Sequence, residues 1–100
     1  MNILKRLFSR EGSEYRFDSP EALRQFAIDT ASELRAAGMA DAADTLERAA
    51  RYVTGSGWEW LGVLGTAAKQ IRPNRDLSDE LRQKLKRVAK AGKSRHPYRC

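Results

Sequence analysis

A chain of 100 residues, 41% apolar and 32% charged, is long enough to bury one hydrophobic core and no more. Its formal net charge of +6 is laid out unevenly: residues 82–100 carry eight Lys or Arg and no acid, and subtracting that +8 leaves −2 for residues 1–81. No charge-free run approaches the roughly 20 residues of a membrane span, and the one cysteine, Cys100, excludes an internal disulfide and points to a reducing compartment.

At the start of the chain Lys5 and Arg6 interrupt the apolar set Ile3, Leu4, Leu7 and Phe8. That breaks the continuous apolar core a secretory signal needs, so a cytoplasmic location is expected. The segment is still the better membrane candidate of the chain, although a short helix packed on the body is the simpler expectation. Over residues 9–18, Tyr15 and Phe17 alternate as in a short strand, and an ordered loop laid on the body fits equally well. The chain therefore divides into an N-terminal segment whose structure the sequence does not decide (1–18), a helical bundle (19–92) and a basic tail (93–100).

The first helix opens at Ser19-Pro20-Glu21. Serine can cap a free amide, proline suits a position whose N–H has no partner, and glutamate complements the helix dipole. Leu23, Phe26, Ala27, Thr30, Ala31 and Leu34 then form one stripe, and Gly38 supplies the stop. A second helix is predicted from Asp41 to Thr54, its core face Ala43, Leu46, Ala50 and Val53, closed by Gly55. The short link makes helices one and two an antiparallel hairpin.

The third helix, Gly57 to Arg72, is apolar nearly all round, and such a helix should be covered all round. Gly62 and Gly65 are expected to let another helix approach closely. Trp58 and Trp60 lie about 200° apart at 100° per residue, so they cannot face the same way. We expect both to find cover within the monomer, an exposed Trp being the alternative that would anchor a partner or a second copy. Pro73-Asn74 breaks the chain, and Ser78-Asp79-Glu80 restarts it. The fourth helix carries Leu77, Leu81, Leu85 and Val88 on a narrow seam and is expected to close at Gly92. The fold class is all-α: a small bundle of a helical hairpin, an apolar third helix and a basic amphipathic C-terminal helix.

Several tempting motifs fail on inspection. A helix-turn-helix would need polar, cationic residues where Trp58-Glu59-Trp60-Leu61-Gly62 stands. Gly55-Ser56-Gly57 lacks the Gly-Lys-Ser/Thr of a phosphate loop and a preceding strand. Asp41, Asp44 and Glu47 read as a cap and first turn rather than a metal site. His96 and Cys100, in a tail, make no positioned catalytic pair. No cofactor, metal or enzymatic activity is expected.

What stands out is the basic arm. Arg82, Lys86, Lys90 and Lys93 fall within about 80° on a helix, Arg87 widens the strip, and Arg95 and Arg99 continue it into the tail. Helix-dipole compensation accounts for two or three cations near a C-terminus, not eight without an acid. These seven residues are the candidate partner-binding set, and an acidic protein is the expected partner. Sequence-independent binding of RNA or DNA by the same arm is the alternative, with His96 and Tyr98 as rings that could stack on bases. Self-assembly through an exposed Trp is a third possibility.

Overall fold

The computed structural model describes residues 16–98, in which four helices form an all-α bundle. These are α1 (Pro20–Ala36), α2 (Ala40–Ala50), α3 (Gly57–Ile71) and α4 (Asp79–Lys93). The segment around Ile3–Phe8, Tyr15, Arg99 and Cys100 lie outside the described residues. None of the described helices is long and apolar enough to cross a membrane.

Helix α1 starts as its sequence demands. The Ser19 hydroxyl accepts from the Ala22 amide at 3.1 Å with Pro20 in the first turn. The chain turns after Ala36 through Gly38, whose φ of +85° is open to glycine without strain. Its stripe is buried except for Phe26, which is half-exposed. Helix α2 ends at Ala50 rather than running on to Thr54, and tertiary contacts account for it. The Ala50 carbonyl, which a continuing helix would offer to the Thr54 amide, accepts instead from Trp60 Nε1 at 3.0 Å and Arg24 Nε at 3.1 Å. Arg24 also lies over the Trp60 ring, 5.1 Å from its centre, so one carbonyl gathers α1, α2 and α3. Val53 is thereby left in a loop and is 90% exposed, not part of the core.

Helix α3 is capped by Ser56, which accepts from the Glu59 amide at 3.3 Å, and supplies Trp60, Leu61, Leu64, Ala67, Ala68 and Ile71 to the core. It is not covered all round: Trp58 is 65% exposed and Gly62 faces open space. The close approach falls at Gly65 alone, against Gly92 of α4. A Cβ placed on Gly92 would stand 2.7 Å from Gly65 Cα and 2.8 Å from the Leu61 carbonyl oxygen. Gly92 is therefore a packing residue inside a helix that continues to Lys93, and not the helix stop. Helix α4 is capped by Ser78, which accepts from Leu81 N at 3.1 Å, and buries Leu81, Leu85, Val88, Ala89 and Ala91. Leu77, just before it, is buried too.

The chain after α4 returns to the start of the described residues. Phe17 N donates to Pro97 O at 2.8 Å, and Phe17 and Tyr98 form an isolated parallel bridge. Phe17 is 4% exposed and meets Phe26 edge to face, ring centres 5.2 Å apart. Residues 94–98 thus lie along the bundle.

Candidate cationic interface

The strip expected on α4 divides into two kinds of residue. Lys86, Lys90, Lys93 and Arg95 are exposed. Arg87 is not on that face. Its guanidinium lies 4.1 Å from the centre of the Phe17 ring and 5.0 Å from that of Phe26, and donates to the Arg16 carbonyl at 3.0 Å. This is a structural clamp, and it removes Arg87 from the partner-binding set. Arg87→Ala is expected to destabilise the fold by about 1–3 kcal/mol through lost stacking and hydrogen bonding, read in urea denaturation, while leaving the exposed cations and any binding by them untouched.

Arg82 is tied at the first turn of α4, donating to the Asn74 carbonyl at 3.0 Å and standing 3.8 Å from Asp79. Lys84 faces the other way, toward α1, and meets the Glu33 carboxylate at 2.7 Å. That contact holds its ammonium above the ordinary range. Arg99 lies outside the described residues. Tyr98 is half-buried against the core, and burial raises its phenol, so His96 and Tyr98 do not form a free pair of stacking rings.

The structure adds cations that α4 alone did not reveal. Lys93 is held below the ordinary ammonium range, first by the charge of neighbouring Lys69, then by burial and the charge of Arg72. Three like charges from two helices have been brought together. The helical repeat explains how. At 100° per residue Trp58, Gly62, Gly65, Lys69 and Arg72 lie within about 80° on α3, and Arg82, Lys86 and Lys93 within about 40° on α4. Gly65 touches Gly92, so the two stripes flank one seam. Antiparallel packing through the short 72–78 link sets the basic second half of α3 beside α4.

Past their first turns, α3 and α4 carry no acid. Residues 60–75 and 81–98 contain none. Glu59 accepts from Tyr52 Oη at 3.2 Å and from Thr54 Oγ1 at 2.7 Å, while Asp79 and Glu80 sit near Arg82 and Lys84 at the far end of α4. Arg72 Nε is buried with no hydrogen-bond partner among the described residues. The acids of α2 are spent elsewhere. Arg35 pairs with Asp44 at 2.8 Å and with Glu47 at 3.2 Å, and Arg51 with Glu47 at 3.1 Å. Arg51 first and Arg35 second hold the Glu47 carboxyl below its usual range. Asp44 and Glu47 are therefore members of a surface ion-pair network rather than cap residues, and the α2 N-cap, Met39, makes no side-chain bond.

Sequence reasoning missed Lys69 and Arg72. Each looked like an ordinary cation at the end of an apolar helix, and only the position of the Gly65–Gly92 contact puts them beside Lys93. Comparison with protein-family models, with characterised proteins and with solved structures finds no match for this chain.

Proposed function

We propose that this chain is a small non-enzymatic interaction protein that engages an acidic protein through the α3–α4 seam. Lys69, Arg72, Lys86, Lys90 and Lys93 form the contact surface, and Arg95 extends it. The observation that carries the reading is the meeting of Lys69, Arg72 and Lys93 on helices that carry no acid over residues 60–75 and 81–98. Mutual repulsion of that kind weakens the free protein and is relieved when carboxylates arrive. An acidic protein fits better than unpaired bases, because Tyr98 is partly buried against the core and does not pair with His96 as a stacking platform.

The test is a binding titration of the full chain with a labelled Asp/Glu-rich peptide, single-stranded RNA and duplex DNA, across about 50 to 300 mM salt. The peptide is expected to bind with an affinity that falls as salt rises. Tighter binding of RNA or DNA, with log K falling against log salt at a slope of about −3 to −5, would transfer the reading to nucleic acid. Binding of none of the three at the lowest salt would remove it.

A further inference from the structure

Among the described residues Trp58 is the largest of three exposed bulky apolar side chains, the others being Tyr52 and Val53, and 65% of its surface is accessible. Its position is more telling than its exposure. It belongs to the α3 stripe that runs through Gly62 and Gly65 to Lys69 and Arg72, so it lies on the flank of α3 turned toward α4. Helix α4 runs antiparallel to α3, and its Gly92 stands beside Leu61 and Gly65. The chain leaving α4 at Lys93 therefore passes on toward the level of Trp58. One turn along the stripe Gly62 has no Cβ, and a Cβ there would meet nothing within 4 Å. The indole thus stands at one end of the cationic stripe, next to Gly62, which also lines the groove between α2 and α3 with Tyr52, Glu59 and Val63.

We infer that the α3–α4 seam binds an acidic segment that carries one large apolar side chain, the carboxylates meeting Lys69, Lys86 and Lys93 and the apolar group packing on Trp58 over Gly62. This rests on the reading of the seam as an interface for an acidic protein, and it adds what makes the contact selective. Carboxylate–ammonium pairs at an exposed face set the encounter rate and polarity but discriminate poorly among acidic chains. A half-exposed indole supplies area at little conformational cost and is the residue type in which binding energy concentrates. Trp60 serves no such purpose: it is 5% exposed and its Nε1 is committed to the Ala50 carbonyl.

Two synthetic peptides test the inference. One places a single Phe in a run of Glu and Asp, and its twin has Ala at that position. Full-length protein is expected to bind the Phe peptide about tenfold or more tightly than the twin, with a shift of Trp emission to shorter wavelength that the twin does not cause. In Trp58→Ala the preference should vanish while salt-dependent binding of both peptides remains. Circular dichroism should be unchanged, because an exposed side chain contributes little to the core. Equal binding of the two peptides by the natural chain, or a preference that survives in Trp58→Ala, overturns the role of Trp58 and leaves the cationic interface standing. Failure of both peptides to bind the natural chain overturns both readings.

Discussion

Gly92→Ala should unfold this protein at a markedly lower temperature, whereas Gly62→Ala, on the facing helix, should raise its stability. Both exchanges make the same chemical change inside an α-helix, where alanine is favoured over glycine by up to about 1 kcal/mol. Gly62 faces open space, and the propensity gain appears undiminished. At Gly92 the added carbon would sit 2.7 Å from Gly65 Cα and 2.8 Å from the Leu61 carbonyl oxygen. These are backbone atoms, which cannot rotate aside. Helices α3 and α4 must separate, and the packing of their buried faces, which include Leu61, Leu64, Leu85 and Val88, is loosened. Overpacking of this kind costs about 1–3 kcal/mol, and the upper end is expected because the whole crossing moves. For a domain of this size that corresponds to a fall in Tm on the order of 10 °C or more. Gly65→Ala should lie between the two, its Cβ meeting Gly92 Cα at 3.0 Å. Thermal denaturation of the three variants gives the order directly. A neutral Gly92→Ala would mean that the helices do not cross at this point.

The fold class and three of the four helix starts were legible in the sequence because local signals and pattern agree there. Ser19, Ser56 and Ser78 each accept a hydrogen bond from a first-turn amide, and the apolar stripe of α1 is buried apart from the half-exposed Phe26. The errors fall where tertiary contacts decide. Nothing in Ala50 or Val53 reveals that Trp60 and Arg24 will take the Ala50 carbonyl and stop α2 early. Glycine in a helix reads equally as a stop, a neutral cost or a point of contact, and Gly62, Gly65 and Gly92 turned out to differ in this way. The candidate site was legible in part. The acid-free composition of residues 82–100 exposes Lys86, Lys90, Lys93 and Arg95 to view. It cannot separate Arg87, which stacks on Phe17 and Phe26 from the opposite flank of α4. Nor can it join Lys69 and Arg72 to the set, since their membership depends on how two helices cross.

Lys93→Glu should weaken binding of an acidic peptide about tenfold or more while leaving the fold intact or more stable, and that pair of opposite signs separates an interface from a solvated face. In the natural chain Lys93 stands among Lys69 and Arg72, and their charges hold its ammonium below the ordinary range. The folded chain gives up this proton more readily than the unfolded chain. The repulsion is therefore fully present near neutral pH and is relieved only as pH rises toward the ordinary ammonium range. Reversing the charge turns repulsion into attraction at every pH between the carboxylate and ammonium ranges. If the cations were there only to remain hydrated, the substitution would be a gain without a loss. If they serve a partner, the gain in the free protein comes with the removal of one contact and the neutralisation of the next, since the new carboxylate pairs with Lys69 and withdraws it from the partner. Two further variants fix the interpretation. Lys86→Glu with Lys90→Glu, farther along α4, should abolish binding with helicity unchanged. Arg48→Glu, an exposed cation on α2, alters net charge by the same amount as Lys93→Glu and should leave binding nearly as it was. Truncation before α4 cannot substitute for these charge reversals, because Leu85 and Val88 are wholly buried and their loss would unfold the bundle. Equal weakening by Arg48→Glu and Lys93→Glu would reduce the interface to a net-charge effect; loss confined to the seam would make it a surface with a definite position, running from Arg72 past Lys69 and Lys93 to Trp58.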